Sequence, residues 1–142
     1  KKQENKNYFF KKKKKLKKKK MSEIHETLSK VIKSSQCQDT ISRGLHEVCR
    51  VLEAKQALFV VLADDCSEAN YVKLVKALCK KNEIGLITGV KRTEIGQWLG
   101  HFKTNAKNEA KKIRGCSSLA IRKYAPEITE DEKKVVEGAL KK

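Results

Sequence analysis

The stretch QALFVVLA, residues 56–63, constrains the fold more than any other part of the chain. It is a continuous apolar run, rich in β-branched and aromatic residues and too short for an ordinary helix. No polar residue alternates within its core. Such a run predicts a strand covered on both faces. A strand of that kind needs one layer of structure above the sheet and another below it. EIGLITG, residues 83–89, repeats the signal, and GCSSLAIRKY, residues 115–124, predicts a third strand with Leu119 and Ile121 on one face.

The material between the strands has helical spacing. Ser22 suits an N-cap with Glu23 in the first turn, and Ile24, Leu28, Val31 and Ile32 then share one face until Ser34-Ser35-Gln36 breaks the pattern. Asp39 is placed to cap a second helix carrying Ile41, Leu45, Val48, Cys49 and Leu52. Gly44 would lie inside that helix at a cost of about 1 kcal/mol against Ala, which predicts a close approach to its backbone. Ser67 and Glu68 suit the opening of a third helix with Tyr71, Leu74, Val75, Leu78 and Cys79 on its apolar face. Thr93 is placed to cap the short helix TEIGQWL, which Gly100 would end in the left-handed region. Residues 103–114 have little apolar content and read as a basic loop. Thr129 and Glu132 form a capping box before a last helix with Val135, Val136, Ala139 and Leu140. The order ααβαβαβα predicts a three-layer α/β/α sandwich with a small mixed sheet, a single domain over residues 22–142. One or two further short strands fit within it.

Charge is the second constraint. The formal net charge is +17, of which residues 1–20 supply +11 and the remainder +6. Such a balance points to a polyanionic partner, nucleic acid before an anionic membrane surface. Residues 1–21 are expected to be a disordered lysine-rich segment, since nine lysines around Leu16 repel one another and leave little to bury. With Tyr8, Phe9 and Phe10 they suit anionic lipid, nuclear import or a nucleic-acid patch. A preferred reading places them outside the mature protein, because Met21 is the first methionine and the composition changes abruptly there. The five cysteines are scattered with no CxxC or zinc spacing, which fits free thiols in a reducing cytosol. No apolar run has the length to span a bilayer, and residues 1–20 lack the apolar stretch of a secretory signal.

Chemistry is sparse. Asp64 and Asp65 follow a buried strand, where paired carboxylates can hold Mg²⁺ or exchange protons. The plainer reading is that they satisfy loop amides and the next helix N-terminus. It is preferred, because no phosphate loop or further acidic cluster accompanies them. Cys66 beside Ser67 has no histidine in a triad-like context, since His25, His46 and His101 lie far apart. His46 falls on the polar side of its helix, where solvent or RNA is the natural contact. Trp98 could stack on a base, but it shares a face with Ile95 and Leu99 and reads as core. No cofactor and no metal site is indicated. The stronger signal is Lys91, Arg92, Lys103, Lys107, Lys111, Lys112 and Arg114. They fall in two loops that frame the short helix, with Glu94 and Glu109 the only acids from Lys91 to Arg114. Phosphate oxygens are the natural ligand for such loops.

LFVVLADDCSEANYVKLVKALCKKNEIGLI, then KRTEIGQWLG, then GCSSLAIRKY resemble the S-twelve-e family of eukaryotic small-subunit ribosomal proteins. YVKLVKALC and IGQWLG are the most specific parts, and the likeness runs from about Ile24 to Val136. The family belongs to the L-seven-Ae/L-thirty-e superfamily of α/β/α sandwiches. The resemblance implies a structural constituent of the small cytosolic ribosomal subunit in the beak region of its head, binding rRNA beside neighbouring ribosomal proteins. It implies no catalysis, no cofactor, no membrane and no small-molecule substrate, and a cytoplasmic location with nucleolar passage during assembly. Kink-turn binders of the superfamily carry GxNExxK, here Gly44, Leu45, His46, Glu47 and Arg50, with His46 in place of the asparagine. That substitution weakens the case for kink-turn reading. ELGxxxG is better kept, as Glu94-Ile95-Gly96 and Gly100. With the preceding Arg43, these positions join the basic loops as candidate RNA contacts.

Two other classes compete with this reading. An interaction adaptor like the Gadd-type relatives would be acidic, which the +6 of the body opposes. A non-ribosomal structured-RNA binder would use the same surface. An enzyme built on Asp64 and Asp65 ranks last.

Overall fold

The computed structural model describes residues 22–106 and 109–140. The expectations for residues 1–21 and for Lys107 lie outside the described residues. Helix α1 covers residues 22–37. It is followed by β1 (Ile41–Arg43), α2 (Gly44–Glu53), β2 (Phe59–Ala63), α3 (Ala69–Lys81), β3 (Gly85–Val90) and α4 (Arg92–Trp98). The chain continues through β4 (Phe102–Thr104), β5 (Ala110–Ile113), β6 (Ser118–Ile121) and α5 (Glu130–Leu140).

Four strands form the central sheet in the order β1-β6-β2-β3. β2 pairs with β3 in parallel, and β6 runs antiparallel to both β1 and β2. The sheet is therefore mixed, as the sequence predicts. All five β2 residues are buried, and they alternate between two cores. Phe59, Val61 and Ala63 join Leu28, Val31 and Ile32 of α1, Ile95 of α4 and Val136 of α5 on one face. Val60 and Leu62 join Val48, Val51 and Leu52 of α2 with Val75 and Cys79 of α3 on the other. β6 does the same with Leu119 and Ile121 against Ala120. This is the three-layer sandwich: α1, α4 and α5 above, α2 and α3 below. Among the described residues no helix is long and apolar enough to cross a membrane.

Four local expectations are corrected. The serines at 34–35 do not end α1, because Ser35 is fully buried and the helix runs on to Cys37. Asp39 does not cap α2. It takes a positive φ of 52° in the turn that leads into β1, and Ile41 pairs with Ile121 as a strand residue. A three-residue strand is too short to show its period of two, so its i, i+4 spacing to Leu45 mimicked a helix. Gly44 is the first residue of α2, not an interior one, with φ +79° and open space where a Cβ would stand. Its backbone conformation calls for glycine, not crowding. Finally, residues 103–114 are not all loop. β4 and β5 form a separate two-stranded antiparallel hairpin with Phe102 opposite Ile113 and Lys103 opposite Lys112. The predicted strands also shorten to Phe59–Ala63 and Ser118–Ile121. The capping box of α5 is seen in its reciprocal half, the Thr129 amide donating to Glu132 Oε2 at 3.2 Å.

Phe59 is fully buried and its ring lies 5.9 Å from that of Tyr124. Phe59→Ala should lower the stability by about 3–5 kcal/mol, read from the denaturant midpoint, because the cavity lies where β2 meets the upper core.

Candidate nucleic-acid interface

The pairings set which end of the sandwich carries charge. β1 and β2 both oppose β6, and β3 runs with β2, so β1, β2 and β3 all point the same way. The helices that follow them, α2, α3 and α4, thus begin at one end of the sheet. Their first amides and the positive ends of their dipoles favour anions there. β6 starts at the same end, which brings Arg114 back beside them.

Two helix starts are built alike. The Arg43 amide donates to Glu47 Oε2 at 2.9 Å, and the Lys91 amide donates to Glu94 Oε2 at 3.1 Å. The acid at each helix start accepts from the amide of the residue ahead of it and makes no ion pair with that residue's basic side chain. Thr93 is not the cap of α4, which opens at Lys91. The missing acceptor comes from another loop: Asp65 Oδ1 accepts from the Arg92 amide at 2.7 Å. That contact is of the structural kind preferred for the aspartate pair, made to α4 and not to the adjacent α3. Among the described residues no group of His, Cys, Asp and Glu is arranged to hold a metal ion.

Several of the predicted residues meet here. An Arg43 guanidinium nitrogen lies 3.1 Å from His101 Nε2, and the Arg114 amide donates to the His101 carbonyl at 2.7 Å. The Cys116 amide donates to the Arg92 carbonyl at 3.0 Å. Gly96 allows this closeness, since a Cβ there would fall 2.0 Å from the Arg114 carbonyl oxygen. Arg43, Arg92 and Arg114 thus converge on one end, around the buried Cys116. Burial raises that thiol, while hydrogen bonds from Ser118 and Gly44 and the charges of Arg43 and Arg92 oppose the rise. Lys103 and Lys112 stand opposite one another on the hairpin, with Lys111 exposed beside them. His46 and Arg50 lie one turn apart on the exposed side of α2, with Arg50 3.4 Å from His46 Nε2. Among the described residues the ion pairs are His25–Glu94, Lys30–Glu132 and Lys134–Asp131, and none uses these cations.

Sequence reasoning missed His101 and Phe102. His101 joins the α2 start to the hairpin, and only the tertiary position of Arg43 reveals that. Phe102 is 39% exposed. Its signal was available: Phe102 and Ile113 bracket an asparagine-containing turn region at hairpin spacing.

Burial first, then the charges of Arg43 and Arg114, lower the His101 pKa below its ordinary 6.5. In acid the unfolded chain therefore takes up this proton more readily than the fold. Stability rises with pH through that window and is lost as pH falls below the unfolded value. Between about pH 7.5 and 5.5 the denaturant midpoint should fall, and His101→Gln should flatten that part of the profile.

Comparison with known proteins bears on the family of the chain. A sequence model of the family described as ribosomal protein L7Ae/L30e/S12e/Gadd45 matches residues 26–121. The small ribosomal subunit protein eS12z of Arabidopsis thaliana is 37% identical over 102 residues, covering 72% of this chain and 71% of the relative. Protein eS12 of Caenorhabditis elegans is 37% identical over 100 residues, 70% of this chain and 71% of its own. Protein eS12 of Drosophila melanogaster is 34% identical over 105 residues, 74% of this chain and 76% of its own. With most of the sandwich inside the match, this chain belongs to the ribosomal protein L7Ae/L30e/S12e/Gadd45 family.

Proposed function

We propose that this protein is a structural constituent of the small subunit of the cytosolic ribosome. It holds rRNA against the cationic end of its sandwich and carries out no reaction. The observation that carries this reading is the pairing of Lys103 with Lys112 beside Arg43, Arg92 and Arg114, with no carboxylate in ion-pair range among the described residues. Like charges directly opposite on a hairpin repel. Phosphate oxygens relieve that repulsion, and counterions released from RNA add to the affinity. The eS12 names of the relatives supply the particle.

On this reading Arg43, Arg50, Lys91, Arg92, Lys103, Lys107, Lys111, Lys112 and Arg114 face phosphates. Gly44, at its positive φ, turns the chain into α2, and Glu47 fixes the helix start while His46 lies at the RNA side. The partners are small-subunit rRNA and neighbouring ribosomal proteins, in the beak region of the head, with passage through the nucleolus during assembly. No membrane or small-molecule substrate enters the scheme.

The full chain and a variant with Lys103, Lys111 and Lys112 replaced by Gln should be titrated with small-subunit rRNA over a salt series. The slope of log K against log salt should be shallower in the variant by about 2 to 3 units, at about 0.9 per lost phosphate contact. Both proteins carry residues 1–21, so that segment's contribution cancels in the difference. An unchanged slope, with an unchanged share of tagged variant in small subunits on a sucrose gradient, would contradict the proposal.

A further inference from the structure

Two shallow grooves meet at Gly100 and Phe102. The first lies among Gly100, His101, Phe102, Lys103, Lys112 and Arg114. The second, of about 550 Å³, lies between the end of α1, the end of α4 and the start of β4. Its walls are Lys33, Gln36, Cys37, Gln97, Trp98, Gly100 and Phe102. Among the described residues no acidic side chain lines either groove. One is a cationic trough, the other an apolar recess, and Phe102 stands on the ridge they share.

Trp98 does not sit wholly in the core as its spacing suggests. It is half-buried, packed against the upper core, with the His25 ring edge-on at a centroid distance of 5.8 Å. Its remaining surface forms part of the recess. Phe102, exposed on a hairpin strand, adds a second aromatic surface. Gln36 donates its amide nitrogen to the Leu99 carbonyl at 3.2 Å, which anchors the α1 end of the wall. Gln97 is exposed at the rim, Lys33 lies on the α1 wall of the recess, and Lys103 and Lys112 line the trough that adjoins it at Phe102.

We infer that the recess binds one unstacked nucleotide of a single-stranded RNA segment, its base against Phe102 and Trp98 and its flanking phosphates on Lys33 and the Lys103–Lys112 pair. This rests on the proposed rRNA-binding function and deepens it. Charge complementarity selects the occupant: an aromatic surface with cations on both sides and no acid matches a base between two phosphates. A paired helix does not fit, because its base faces are stacked inside and its shallow groove offers only 2′-hydroxyls and base edges, with no free face to lie on an aromatic ring. A neutral apolar peptide segment would leave the flanking lysines unmatched.

Trp98 is the single tryptophan of the chain, so its fluorescence reports on the recess directly. The full-length protein should be titrated with hexauridylate and with a blunt RNA duplex of equal phosphate number, with binding followed in parallel by gel retardation. Hexauridylate should quench Trp98 saturably, while the duplex should bind without quenching. Phe102→Leu keeps an apolar side chain over Ile113 and should weaken hexauridylate about tenfold, with duplex affinity unchanged. Lys33→Glu, remote from the hairpin fold, should weaken hexauridylate as well. Hexauridylate binding without quenching, or equal loss of both RNAs in Phe102→Leu, would overturn the inference and leave the rRNA-binding proposal standing. Quenching by polyglutamate equal to that by hexauridylate would overturn it in favour of an acidic protein partner. Failure of both RNAs to bind in the retardation assay would defeat the broader proposal along with this one.

Discussion

Everything in this molecule depends on β2 being buried from both sides. Five residues, Phe59–Ala63, send alternate side chains into two cores. Burial of that kind leaves no solvated sheet face, so the helices must divide between two layers. It also fixes direction. Because β1, β2 and β3 run the same way, three helices start at one end, and the first amides of each point where the basic loops gather. The cationic end follows from strand direction before any lysine is considered.

The gathering of charge works against the fold that supports it. Lys103 and Lys112 face each other, and Arg43 lies against His101 in a way that disfavours a proton on the imidazole. A chain selected for stability alone would place acids among these groups. Here three of the acids at this end are engaged elsewhere: Glu47 and Glu94 hold helix starts, and Asp65 holds the Arg92 amide. All three accept from backbone N–H groups. They order the polypeptide beneath the cations and leave the cationic side chains for an outside partner. On the proposed function, rRNA supplies the missing counter-charge, and the fold is completed electrostatically when it binds.

The parts legible in the sequence are those whose physics is local and periodic. The β2 and β3 runs, the apolar face of α1 and the capping box before α5 all give clear signals, and so does the cluster of cations without acids. What stayed hidden depends on tertiary partners. β1 has three residues, and its Ile41 falls in step with the helix that follows it. The hairpin carries lysines where a strand would ordinarily show β-branched residues, and only Phe102 and Ile113 mark it. Thr93 looks like a cap because the true acceptor, Asp65, sits 27 residues away. Gly44 reads as a helix defect, yet its φ of +79° lets the chain turn from strand to helix within one residue.

The same geometry bears on how RNA would be read. At the position where kink-turn binders of the superfamily carry an asparagine, this chain presents His46, with Arg50 within 3.4 Å of its ring. An asparagine offers a donor and an acceptor side by side, suited to a base edge. A neutral imidazole offers one of each on opposite sides of a ring, and here one of them faces a guanidinium. The α2 start is therefore better suited to phosphates than to base pairs. On the proposed function, discrimination among RNAs would come from shape and from groups away from α2, and the aromatic ridge at Phe102 is a feature of this end of the molecule with the chemistry for it.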